Sequence, residues 1–125
     1  MWCMTPIGFF SIVDKSATGD ITGVLCVRSR WRRDLTAFNT LLKTIGYAEC
    51  EIVENAGTDY AFRIHVPRKA ATAAMTELTH GIDYSNFKNT VKARHSSERA
   101  RVYSEIWGVL ARAARSTFTR STRRY

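Results

Sequence analysis

From Thr22 to Arg30 the chain reads TGVLCVRSR, and its apolar and polar positions alternate. Leu25 and Val27 fall on one side; Cys26, Arg28 and Arg30 fall on the other. That alternation is the mark of a strand with one face in a core. A second such stretch is GFFSIV, in which Phe9, Ser11 and Val13 share one face and Phe10 and Ile12 the other. Pro6 and Gly8 interrupt the apolar run before it, so pairing is expected to begin near Ile7. The polar segment DKSATGD, Asp14 to Asp20, joins the two strands as an antiparallel hairpin. Tyr47 to Val53 alternates Glu49 and Glu51 with Cys50 and Ile52, which predicts a third strand with one polar face. Asp59 to Val66 predicts a fourth, with Tyr60, Phe62, Ile64 and Val66 on one side and Ala61, Arg63 and His65 on the other. Pro67 ends it.

Elsewhere the period is helical. Leu35, Phe38, Leu42 and Ile45 lie on one helix face, which Leu41 broadens. Ser29 suits the N-cap of this helix, Asp34 its first turn and Gly46 its left-handed end. A second helix runs from about Arg68 to His80, with Ala71, Ala74, Met75 and Leu78 inward and Gly81 at its end. Asp83 or Ser85 is placed to cap a third, with Tyr84, Phe87 and Val91 on one side. His95 to Ser97 marks a bend or break. Beyond it Val102, Tyr103, Ile106, Val109, Leu110 and Ala113 form an apolar stripe, opposite Arg101, Glu105, Gly108, Arg112 and Arg115. From Ser116 the chain is mostly Thr, Ser and Arg. The pattern therefore predicts a single α+β domain over 1–115 and a basic, flexible tail over 116–125.

Strand, strand, helix, strand, strand, helix, long helix is the order of a permuted ferredoxin-like (ββαββα) fold. It implies a four-stranded antiparallel sheet with helices on one face and an added long C-terminal helix. Thr22–Arg30 and Asp59–Val66 would hold the centre of the sheet. Right-handed crossovers put Leu25, Val27, Phe62 and Ile64 toward the helices. Cys26, Arg28, Arg30, Arg63 and His65 then line the opposite face, near Glu49 and Glu51 on an edge strand. Three covers fit that second face: the C-terminal apolar stripe, a second copy of the chain, or a ligand.

Composition narrows the class. A chain of 125 residues suits one core, and 45% hydrophobic with 24% charged residues is globular. No apolar run is long enough to span a bilayer, so no membrane partner is expected. The N-terminus lacks the basic and apolar regions of a secretory signal. The three cysteines, Cys3, Cys26 and Cys50, have no paired metal spacing and read as free thiols in a reducing cytoplasm. Net charge changes the picture more. The formal excess of +8 lies wholly in the last third, where Lys88 to Tyr125 holds ten Lys and Arg against Glu98 and Glu105. Such asymmetry suits nucleic acid, with Lys88, Lys92, Arg94, Arg99, Arg112 and Arg115 on phosphates. A solvated helix face explains it equally simply.

Chemistry adds little. His65, His80 and His95 show no metal-ligand spacing, so no metal and no cofactor are assigned. There is no phosphate loop, dinucleotide fingerprint or nucleophile elbow. Cys26 beside Arg28 and His65 is the best thiolate candidate, but no third, orienting group is evident. No aromatic motif for stacking RNA bases marks the central strands. The polar and aromatic cluster in GIDYSNFK reads as a helix cap. The first expectation is thus a non-catalytic interaction module that meets a protein or a second copy of itself. A nucleic-acid binder using the basic C-terminal helix is the second. A small-ligand binder or enzyme with a pocket around Arg28, Arg30, Arg63 and His65 is the third.

The opening MWCMTPIGFFSIV, the central LCVRSR and the later GIDYSNFK with VYSEIWGVL resemble a family of small, uncharacterised bacterial proteins. The resemblance reaches to about Leu110 and excludes the Arg-rich end. It implies a self-contained cytoplasmic domain and brings no activity, cofactor or site.

Overall fold

The computed structural model describes residues 1–57 and 59–122, with side chains as far as Thr117. It is α+β, with a four-stranded antiparallel sheet and four α-helices. The chain divides into two compact units, Met1–Tyr84 and Ser85–Tyr125.

The first unit holds the sheet. Its elements are β1 (Trp2–Thr5), β2 (Gly8–Val13), β3 (Val24–Ser29), α1 (Arg32–Thr44), β4 (Phe62–Pro67) and α2 (Arg68–His80). The strands lie in the order β1-β2-β3-β4. The register puts Cys3 opposite Phe10, Ile12 opposite Val27, and Val27 opposite Ile64. These residues therefore share a face, and all of them belong to the core. Helix α1 adds Leu35, Phe38 and Leu42, all fully buried, and α2 adds Ala70, Ala71 and Ala74. Each large apolar side chain so buried contributes roughly 1.5–3 kcal/mol relative to exposure. The small alanines let α2 approach the sheet closely. Gly46 ends α1 with a φ of 92°, the left-handed conformation its position called for.

Both edges of the sheet differ from expectation. Pairing begins at Trp2, not near Ile7, because Pro6 and Ile7 occupy the hairpin loop itself. The Thr5 hydroxyl donates to the Gly8 carbonyl (2.8 Å) and accepts from the Gly8 N–H (3.2 Å), which closes that loop. The predicted strand Tyr47–Val53 is absent; the segment touches the sheet only through a bridge between Val53 and Arg63. The cause is Asn39 on α1. Its side-chain amide accepts from the Cys50 N–H and donates to the Cys50 carbonyl, both at 2.8 Å. With both of its backbone groups held by that clamp, Cys50 has none left for a strand partner, and Tyr47, Cys50 and Ile52 pack against the core. As a result β4 is an edge strand and β2, with β3, is central.

Local capping also differs. Ser29 does not cap α1; its hydroxyl donates to the Phe9 carbonyl and accepts from the Trp31 N–H, each at 3.2 Å. The fully buried Asp34 ties α1 to the sheet, accepting the Phe9 N–H at 2.9 Å. Gly8 lies against that carboxylate. A Cβ added there would stand 2.4 Å from the Asp34 Cγ, and the φ of 156° also favours glycine.

The second unit contains α3 (Phe87–Arg94) and α4 (Ser97–Thr122). Asn86, rather than Asp83 or Ser85, caps α3 by accepting the Asn89 N–H at 2.9 Å. The break expected near His95 is present: the Ser96 hydroxyl accepts the Arg99 N–H (3.0 Å) and starts α4. The Phe87 and Tyr103 rings stack at 5.7 Å, 8° from parallel. The boundary expected at residue 115 has no counterpart in α4, which continues to Thr122. Of the tail proposed over 116–125, residues 123–125 lie outside the described residues.

Candidate functional site

The second face of the sheet carries the polar residues singled out from the sequence. Its rows follow from the register: Ser11, Arg28 and Arg63 form one, and Val13, Cys26 and His65 the next. The fold itself uses most of these groups. Arg28 donates to the Ser11 hydroxyl at 2.8 Å. Its guanidinium carbon and that of Arg30 each lie 4.6 Å from the centre of the Tyr60 ring. Tyr60 is buried and sits in the loop before β4, so this loop covers part of the face. Arg63 donates to the Ala56 carbonyl at 2.7 Å in the same loop. The Nε atoms of Arg28 and Arg63 are buried and lack a hydrogen-bond partner among the described residues. The proposed ligand set of Arg28, Arg30, Arg63 and His65 is therefore brought together, with Tyr60 among its arginines.

One row along, Asp20 from the loop between β2 and β3 completes a cluster. Its carboxylate lies 3.2 Å from His65 Nε2. Cys26 is the cross-strand partner of His65, and one ligand atom from each of Asp20, Cys26 and His65 falls within 4.8 Å of the others. Asp20 is the orienting group that the sequence left out. Its position depends on how the loop folds back over the strands, which no spacing reveals. Burial pushes the Cys26 thiol up; Arg63, Arg28 and Lys15 act against that, and Asp20 with it. Cys26 is accordingly a thiol rather than a thiolate nucleophile.

The basic set of the second unit fares unevenly. Lys88, Lys92, Arg94, Arg112 and Arg115 are exposed. Arg99 is buried, its guanidinium 6.0 Å from the centre of the Tyr103 ring. More conspicuous are apolar groups. Trp107, Val109 and Leu110 on α4 are 70%, 57% and 62% exposed. Val109 and Leu110 belong to the predicted stripe. Trp107 was left out of the stripe although it stands four residues after Tyr103 and three before Leu110, spacing that sets it at the stripe's margin.

The first unit also has a shallow, mostly apolar cleft of about 580 Å³, lined by Ile12, Leu25, Ala71, Met75 and His80. No helix among the described residues is long and apolar enough to cross a membrane. No family model matches the chain, and neither the curated proteins nor the solved structures yield a match.

Proposed function

We propose that this protein is an interaction module that pairs with a second copy of itself through α4. The observation that carries this reading is the exposure of Val109 and Leu110, neighbours on the apolar stripe of α4. Val102, Ile106, Val109 and Ala113 follow one another at spacings of four, three and four residues, which is the seam of a helix pair. Glu105 and Arg112 flank the seam on one side, seven residues apart. When two such helices run antiparallel with these seams in register, Glu105 of each faces Arg112 of the other. The pairing then gains two reciprocal ion pairs beside an apolar strip. Phe87 against Tyr103 fixes the other margin within each copy.

Light scattering on a sizing column tests this. A dimer at tens of micromolar is expected. Val109→Glu should give monomers with unchanged helicity by circular dichroism. Arg112→Glu should weaken the dimer, and adding Glu105→Arg should restore it. A wild-type chain that stays monomeric, or a charge swap that restores nothing, rejects the reading.

A second reading, nucleic-acid binding, rests on the exposure of Lys88, Lys92, Arg94, Arg112 and Arg115. It requires affinity for a labelled oligonucleotide that falls steeply with salt. Binding no tighter than that of a generic basic peptide would exclude it. The free state of Cys3, Cys26 and Cys50 supports action in a reducing compartment, the cytoplasm. The path β3, α1, β4, α2 supports a ferredoxin-like ancestry for the first unit, with one edge strand reduced to the Val53 bridge.

A further inference from the structure

The cluster of Asp20, Cys26 and His65 has the donor set of a metal site, its ligand atoms all within 4.8 Å of one another. We infer that it binds a divalent zinc-like ion in a three-ligand site with one open position. The donors come from three separate segments: a loop, β3 and β4. They converge because Cys26 and His65 are cross-strand partners on one face and Asp20 folds over them.

The distances fit a metal site as well as they fit the direct contact of His65 with Asp20. His65 Nε2 and Asp20 Oδ2 are 3.2 Å apart. Two ligands bonded at 2.0–2.1 Å to a tetrahedral zinc stand about 3.3 Å apart, so this edge of the tetrahedron is already formed. The thiol sulfur lies within 4.8 Å of both, against about 3.6 Å in a zinc site with its longer bond to sulfur. A small side-chain movement closes the difference.

Ligand softness selects the ion. A thiolate, an imidazole and a carboxylate suit zinc or cobalt, whereas magnesium and calcium prefer all-oxygen sets. Binding replaces the sulfur–hydrogen bond of Cys26 by a sulfur–metal bond. The proton passes to buffer and the ion sheds water, with no change of oxidation state. Arg63, Arg28 and Lys15 stabilise the thiolate that forms, although their charge also opposes a free cation. Asp20 and the thiolate together offset the charge of the ion. Cys26 is almost wholly buried while the side chains of His65 and Asp20 are 37% and 27% exposed. The ion would thus enter from the His65 and Asp20 side, and its open position would face that way.

The test uses the full chain, reduced and stripped with chelator. Zinc titrated by calorimetry should bind one equivalent with a Kd below about 1 μM. Cobalt should give intense visible bands of a tetrahedral site and a near-ultraviolet thiolate-to-metal band. Cys26→Ser should remove the thiolate band. Asp20→Asn and His65→Gln, the latter on an edge strand, should each weaken binding at least about tenfold. Thermal melts of each variant separate loss of binding from loss of fold, and Asp20→Asn, in a loop, keeps the test open if Cys26→Ser unfolds. Three outcomes overturn the inference: no stoichiometric binding, a thiolate band that persists in Cys26→Ser, or folded Asp20→Asn protein that binds as tightly as the wild type.

Discussion

The two units differ in the work of their charged side chains more than in exposed apolar ones, which both have: Trp2 and Ile21 in the first, Trp107 and Leu110 in the second. In Met1–Tyr84 even the charged groups serve the fold. Asp34 is fully buried and holds a strand N–H, Arg63 holds a loop carbonyl, and Arg28 and Arg30 lie beside Tyr60. In Ser85–Tyr125 the charged groups of Lys88, Lys92, Arg94, Arg112 and Arg115 are exposed. The contrast has a physical root. A strand satisfies its backbone only through neighbours distant in sequence, so β-rich units need long-range polar anchors. A helix satisfies its own backbone and leaves its side chains free for something else.

The sharpest way to break that contrast is to truncate one aromatic in each unit. Phe38→Ala, at a fully buried position, should cost about 3–5 kcal/mol in denaturant unfolding. Trp107→Ala removes a larger side chain, yet it should change stability by no more than about 0.5 kcal/mol. Equal losses would mean that Trp107 is part of a core. Next in size, Gly8→Ala drives a methyl into Asp34 and should cost about 2–4 kcal/mol by the same measurement. A neutral effect there would show that α1 can shift away from the hairpin. Asn39→Ala should cost about 1–3 kcal/mol. Faster amide exchange at Cys50 and Val53, with little change in β2 and β3, would locate the loss in the clamped segment.

The smallest effect concerns pH. Burial holds the thiols of Cys3, Cys26 and Cys50 above their ordinary value of 9.0. The folded chain therefore keeps protons that the unfolded chain releases. The resulting stability is complete below that value and is lost as pH rises through it toward the folded values. The unfolding midpoint of the first unit should fall between about pH 8 and pH 10 for this reason. Replacing Cys50 by Ala should reduce the fall; an unchanged slope would assign it to other groups.

Much of the first unit was legible because its patterns are local. The alternation in GFFSIV and LCVRSR, the period of Leu35, Phe38 and Leu42, and the span of α2 all follow from neighbours in sequence. The common face of Cys26, Arg28, Arg63 and His65 was legible too, since face follows from alternation. What escaped depends on side chains reaching across the chain. Tyr47–Val53 alternates like a strand, but Asn39 takes the backbone groups of Cys50 that a neighbouring strand would need. Pro6 looked like an interruption, although Thr5 turns it into a hairpin loop. Asp20 was a loop residue like any other until the loop placed it against His65.

The approach of Gly8 to Asp34 also constrains how such a chain can evolve. The two positions are separated by 25 residues of sequence, yet no side chain fits at one while the carboxylate stays at the other. They form a coupled pair in which the order of change matters. A substitution at 8 is a dead end on its own and becomes accessible only alongside a change at 34. A library randomised at both positions and selected for folding should return replacements of Gly8 only in company with replacements of Asp34, and that joint pattern would serve as a fingerprint for more distant chains of the same design.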